Sequence, residues 1–476
     1  MLFATGTTAE MREGTLGDGY NWIRNASGKQ YEAHDVGALF VMFPAALLGS
    51  FFREVAVDDW VAHPPFFIKA AASLTYALVA AGGAYCLFLL FALFHQKRTA
   101  FLGACAFVVT TPFWAFSRCG FDVLGGAAGV CMLLWTSARL LLARRVSAKE
   151  VAPAFGSLAL ACSFRYSLLP FLGLGLCGFL WLRRKDIPLA GYLAGGGTFL
   201  TLMLPTFVYN YVRMGNPLKP ATVATKYLEG MNALTGNSVD GFYGLLFSPN
   251  WGLFFYAPHF VLLTTLPFVW KTLPVQMRQT VLIWGMATLG YLVPISHSVN
   301  WPGVVGWGSR YMVPVLPIFF GIAAIALSQF WARYKRPVLA LVGVSFLVNL
   351  PSGFVNWHEA SLANASAPWE EQIRYPWARG PRQQAAVWRG FLDGLRGIPL
   401  HSNPEWSKDP ALYSIIAFPD LWTFRLMRMS PSGLAAGCTA TLLLVTGGIS
   451  CGLRLVSIRE TTVLRDLEEG PCGLGK

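Results

Sequence analysis

The chain is poor in charge. Only 13% of its 476 residues are Asp, Glu, Lys or Arg, where soluble domains carry about 25%. Most of it therefore cannot face water. It also lacks the marks of a metal or disulfide scaffold: its nine cysteines are scattered, with no C-x-x-C spacing. The first residues, Met1 to Gly14, hold Glu10, Arg12 and Glu13 and show no signal-peptide pattern. No internal repeat and no low-complexity tract is visible. The formal charge of +13 does not imply nucleic acid, because the basic residues sit in short clusters between apolar runs, as the positive-inside rule places them.

What is abundant is apolar: 54% of the residues are hydrophobic and mean hydropathy is +0.48. The runs are roughly 18 to 28 residues long, enough to cross a hydrocarbon core about 30 Å thick. We expect an all-α integral membrane protein with about eleven spans. They fall at 66–95, 99–117, 122–143, 150–164, 166–182, 188–212, 253–270, 280–298, 311–331, 337–356 and 431–456. The pair around Arg165 is short on each side, and reads either as two half-depth helices meeting at a polar apex or as one long span.

Orientation follows from the connectors. Lys97 and Arg98, Arg144, Arg145 and Lys149, Arg183 to Lys185, Lys271 and Arg278, and Arg333, Lys335 and Arg336 all fall on one face if the spans alternate. That face is expected to be cytoplasmic, with the 457–476 tail. The other face then holds 1–65, the 213–252 and 299–310 loops and the polar segment 357–430, with its six tryptophans. The run 36–52 is expected to lie in the outer interface or to be re-entrant. The bundle proper is 66–356, closed by the last span at 431–456.

Ionisable groups near the bilayer are costly, so each is a functional hypothesis. Asp122 starts a span and offers a carboxylate to the outer vestibule; it would equally serve as a carboxylate favoured by the helix dipole. Asp35 would act at the site or cap the interfacial helix. Arg310, behind a glycine-rich loop, would grip a phosphate bidentately or anchor at headgroup level. Arg165 lies within an apolar stretch and needs a partner. Arg118, four residues before Asp122, would pair with it on one helix face. His34, His259 and His297 are isolated, and no metal site is expected from them. Asn25 and Asn364 begin N-x-S acceptor triplets, which matter only in a eukaryotic secretory setting.

Several segments, in order, resemble the polytopic glycosyltransferases (GT-C type) that use lipid-phosphate-linked sugars, and most closely a bacterial branch of them. The superfamily includes the protein O-mannosyltransferases and the lipid A aminoarabinose transferases. The segments are R-E-G-T-L, G-K-Q-Y-E-A-H-D-V-G-A-L-F-V-M-F-P-A-A-L-L-G, T-P-F-W-A-F-S-R-C-G-F-D and F-R-Y-S-L-L-P. Further on come G-N-P-L, G-F-Y-G-L-L-F-S-P-N-W-G-L-F-F-Y-A-P, W-P-G-V-V-G-W-G-S-R-Y-M-V-P-V-L-P and F-P-D-L-W.

The resemblance implies an inverting transferase in the bacterial inner membrane, its site facing away from the cytoplasm. It would move a sugar from a polyprenyl-phosphate donor to a hydroxyl of a glycan, lipid or protein acceptor. A carboxylate in the first outer loop acts as general base in such enzymes, and a second, at the outer start of a later span, supports the site. Asp122 matches that second position, and a divalent cation (Mg or Mn) takes part in some members. Arg310, Arg165 and Arg118 are the candidates for the lipid phosphate. The chain begins inside what would be the first outer loop, without the family's first helix, and the expected acid falls at or before Met1; Glu10 and Asp35 are the nearest substitutes. The alternative readings are a transporter or flippase, and a non-catalytic relative that binds a polyprenyl lipid. Against transport stand the missing repeat and the scarcity of charge within the spans.

Overall fold

The computed structural model describes residues 22–24, 30–32, 36–55, 64–117, 122–218, 234, 236–298, 301, 307–355, 376–396 and 431–457. Apart from a two-stranded hairpin, β1 (Trp22–Arg24) with β2 (Gln30–Glu32), the regular elements among them are helical.

Six helical stretches are long and apolar enough to cross a bilayer: Leu74–Phe91, Asp122–Leu142, Leu189–Met214, Val275–His297, Arg310–Leu327 and Tyr334–Gly353. The expected count was about eleven; the last expected span, 431–456, is the continuous helix Pro431–Ser457, with Leu434–Gly448 as its apolar stretch, and the others are shorter or interrupted. The run expected at 99–117 is a helix of 14 residues, Lys97–Thr110, followed by a separate turn at Phe113–Phe116; Pro112 ends the first piece's continuity. The run at 253–270 is broken into short pieces: an α-helical turn at Leu253–Tyr256, a 3-10 helix at Pro258–Thr265 and a second α-helical turn at Leu266–Val269.

The elements used below are α1 (Val36–Val55), α2 (Pro64–Phe91), α3 (Lys97–Thr110), α4 (Asp122–Leu142), α5 (Ala148–Phe164), α6 (Leu169–Leu182) and α7 (Leu189–Met214). They continue with α8 (Ser238–Leu246), α9 (Val275–His297), α10 (Leu316–Asn349), α11 (Pro376–Leu395) and α12 (Pro431–Ser457).

The centre of the bundle is α4. Its buried face includes Val123, Leu124, Ala127, Val130 and Leu133, and it packs against α2 and α5. Glycine makes that approach possible. A Cβ on Gly129 would stand 2.6 Å from the Ala161 backbone of α5, and one on Gly125 would collide with the Phe164 ring. Van der Waals packing of close backbones is what joins helices where lipid removes the hydrophobic drive. α7 lies along the far side of α5, and Gly195 accommodates the Phe155 ring there.

The chain breaks at Arg165, in extended backbone at φ −150° and ψ 91°, between α5 and the 3-10 turn Tyr166–Leu168 that leads into α6. The two limbs run antiparallel. The Arg183 guanidinium, just past α6, donates from NH1 to the Leu141 carbonyl at 3.0 Å and from NH2 to the Ala143 carbonyl at 2.6 Å, just before α5 begins. Those carbonyls are among the acceptors that a helix end leaves unpaired. The break expected at Arg165 is there, and each limb is short. α5 alone has 17 residues, about 25 Å at 1.5 Å each. The bundle thus has two ends, marked by Arg165 and by Arg183, with α4 running from one to the other.

α10 is likewise two limbs. Its backbone leaves the helical region at Tyr334 (φ −117°, ψ 17°). The far limb returns: Asn349 accepts from the Trp307 indole at 3.0 Å and donates to the carbonyls of Thr110, Tyr256 and Ser345. One buried amide so joins four segments at the Arg165 end. Within the polar segment expected at 357–430, α11 lays Val387 and Phe391 near Leu350–Gly353 and the Phe354 ring.

Candidate functional site

The Arg165 end gathers three of the ionisable residues singled out above. Asp122 occupies the first position of α4, where the helix dipole favours a carboxylate. Arg165 at the hairpin apex reaches it: the separation is 3.8 Å, with side chains 13% and 17% exposed. That is an ion pair, too long for a hydrogen bond. No side-chain hydrogen bond engages the Asp122 carboxylate among the described residues, so its lone pairs stay open to a hydroxyl donor.

Arg310 enters from the other side of the cluster. The sequence W-G-S-R turns because Gly308 takes φ +75°, a region a Cβ penalises. Ser309 then donates its N–H to the Trp251 carbonyl at 3.0 Å, and Arg310 opens the 3-10 turn Arg310–Val315 ahead of α10. The Arg310 and Arg165 guanidiniums lie 5.3 Å and 4.8 Å from the centroid of the same Tyr311 ring, both within cation–π range. The Arg310 Nε is buried without a hydrogen-bond partner among the described residues.

Two contacts fix this geometry. The Tyr291 hydroxyl of α9 donates to the Tyr311 carbonyl at 3.0 Å. Gly126 lets α4 sit close to Leu168, Arg165 and Pro314, the last at 3.8 Å from where its Cβ would stand. One glycine therefore brings α4, the hairpin apex and the start of α10 together.

Two guanidiniums and one carboxylate come together among the described side chains here. Such an arrangement suits an anion with two or more acceptor oxygens beside a group that loses a proton. Among the described residues no three His, Cys, Asp or Glu side chains come together as a metal nest, and Asp122 has an arginine for its neighbour.

Asp35, Glu10 and Arg118 lie outside the described residues. The helix that begins at Val36 does approach the apex: a Cβ on Gly37 would meet the backbone of Ser163 and Phe164 at 2.7 Å. Of the three isolated histidines, His259 is buried and pairs its Nδ1 with the Ser345 hydroxyl at 2.9 Å, a packing role. His297 lies at the end of α9 with its Nδ1 2.9 Å from the Val293 carbonyl. His34 lies outside the described residues.

Sequence reasoning missed Tyr311 and Tyr291. The dipeptide Arg-Tyr at Arg310 was no signal for the first, because it also occurs at Arg165, Arg333 and Arg374, and Tyr291 follows a glycine. It also passed over Arg213, near the end of α7, which is 1% exposed. Its guanidinium stands 4.1 Å from the Tyr209 ring centroid and donates to the Asn210 side chain at 2.6 Å.

Compared with protein-family models, curated proteins and solved structures, the chain finds no match in any of the three.

Proposed function

We propose that the protein is a membrane glycosyltransferase that moves a sugar from a polyprenyl-phosphate donor to an acceptor hydroxyl at the Arg165 end of the bundle, with inversion. The observation that carries the reading is the shared Tyr311 ring. Arg165 and Arg310 stand over it, and the Asp122 carboxylate lies 3.8 Å from Arg165.

The chemistry balances as follows. The acceptor oxygen forms a bond to the sugar's anomeric carbon as the bond from that carbon to the phosphate oxygen breaks. The hydroxyl proton passes to the Asp122 carboxylate, and the lipid phosphate leaves as an anion. A hydroxyl is a poor nucleophile at neutral pH, so a positioned base matters. The developing negative charge falls where two guanidiniums meet. Arg310 serves as the phosphate grip, and Arg165 both pairs with Asp122 and faces the anion. A donor with a long isoprenoid chain explains why such a cluster sits at the end of apolar helices. Asp35, Glu10 and Arg118 remain candidates from the sequence, as base and as phosphate contact.

The test is transfer by the purified protein from synthetic lipid-phosphate sugars, wild type against Asp122→Asn. The variant is expected to lose about 100-fold in rate, the usual size of a general-base contribution. An unchanged rate removes Asp122 from the chemistry. Accumulation of a solute inside sealed vesicles, with no glycosidic bond made, would replace the reading with transport.

A further inference from the structure

We propose that the Arg183 end of the bundle carries a separate binding site for the headgroup of an anionic phospholipid, formed by Arg145, Arg184 and Lys185 beside Trp181. It is independent of the transferase reading.

The site follows from the way Arg183 is used. Its two hydrogen bonds to the Leu141 and Ala143 carbonyls draw the turn after α6 onto the turn after α4. Each turn is basic: Arg144 and Arg145 follow Ala143, and Arg184 and Lys185 follow Arg183. Arg145, Arg184 and Lys185 are exposed. Two acids lie in these turns and both are engaged internally. Asp186 pairs with the Arg183 Nε at 3.0 Å. The Glu150 carboxylate accepts from the Ser147 backbone N–H at 2.9 Å and from its hydroxyl at 2.5 Å, closing a capping box. No ion pair offsets Arg145, Arg184 or Lys185 among the described residues.

What borders these cations selects a lipid over a soluble anion. The Arg184 guanidinium lies 4.0 Å from the Trp181 ring centroid, and that indole is 65% exposed. Leu189 and Leu193, on the first turns of α7, are exposed to the same degree. An uncompensated positive patch therefore abuts a wall of bare apolar side chains, with a tryptophan at the boundary, where indoles settle at headgroup level. A phosphodiester on an acyl chain matches both surfaces. A free anion matches only one.

The experiment measures phosphatidylglycerol and phosphatidylcholine retained by the full-length protein in detergent, counted by native mass spectrometry and titrated at two salt concentrations. Wild type is expected to prefer phosphatidylglycerol by roughly 100-fold, at about five-fold for each of three cations, and to lose that preference as salt rises. The triple substitution Arg145→Ala, Arg184→Ala, Lys185→Ala is expected to bring it close to parity, and the single Lys185→Gln to lower it about five-fold, which serves should the triple variant not fold. Equal retention of the two lipids by wild type overturns the proposal. So does a preference that survives Lys185→Gln and the triple substitution, or displacement of phosphatidylglycerol by millimolar inorganic phosphate. Preferential capture of a polyglutamate peptide over the lipid would reassign the patch to an acidic protein partner.

Discussion

Both ends of the α5–α6 hairpin are built around an arginine, and the two arginines do opposite things. At the open end, Arg183 turns inward and spends its donors on the carbonyls of Leu141 and Ala143 and on Asp186. At the apex, Arg165 stands 3.8 Å from Asp122 and over a tyrosine shared with Arg310. The first is a fastening with its geometry closed. The second leaves a carboxylate without a side-chain hydrogen bond among the described residues, beside two guanidiniums. The same residue type holds structure where its partners are backbone carbonyls and, on the function proposed above, serves chemistry where its partner is a loosely held acid.

That contrast can be broken by exchanging the losses. Arg165→Met is expected to cut sugar transfer about 100-fold, as removal of a group that stabilises developing charge does, while Arg183→Met leaves the rate per folded molecule near wild type. Equal losses of rate in the two variants would erase the distinction. The stability order should reverse. Arg183→Met strips two charge-assisted hydrogen bonds and is expected to cost about 1.5–3 kcal/mol, read as a lower melting temperature in detergent. The helix crossing beneath the apex can be probed separately. Gly129→Leu must displace the α5 backbone and is expected to cost about 1–3 kcal/mol, lowering melting temperature and transfer together. A melting temperature equal to wild type would mean that α4 and α5 are not held at that distance. Gly308→Ala is the milder perturbation. It forces a Cβ into φ +75° at a cost of about 1 kcal/mol, and should appear as weaker donor binding with the maximal rate little changed.

The smallest effect is one of pH. His95, in the turn after α2, is pushed below its ordinary value of 6.5 by burial. The neutral ring is the folded form's preference, so its contribution is fully present above pH 6.5. It is lost as the pH falls through the lowered value. Melting scans at pH 7.5 and 5.0 should therefore differ less in His95→Asn than in wild type.

Much of the cluster could be read from the chain because charge is rare in it. Asp122, Arg165 and Arg310 stand out against apolar neighbours, and the cost of an ionisable group there is large enough to make each a candidate. Tyr311 and Tyr291 were hidden for the opposite reason: with 16 tyrosines and 35 phenylalanines, aromatic content separates nothing. The break at Arg165 was legible, but its consequence was not. Hydropathy registers the length of each limb and carries no information on whether the second limb continues or returns. The return is set by Arg183, which in the sequence is one more connector cation beside Arg184 and Lys185. The basic connector at Arg333, Lys335 and Arg336 did mark the bend at Tyr334 between the spans expected at 311–331 and 337–356, although the helix resumes at once, with Pro337 tolerated in the first turn of the second limb.

The hairpin has a further consequence for how the chain is threaded. Because α5 leaves from the Arg183 end and α6 comes back to it, the pair adds an even number of passages. Every element after Leu182 would begin at the same end with the pair present or deleted. The pair can therefore be removed without changing the end from which anything downstream starts, whereas removing α4 or α7 alone would reverse it.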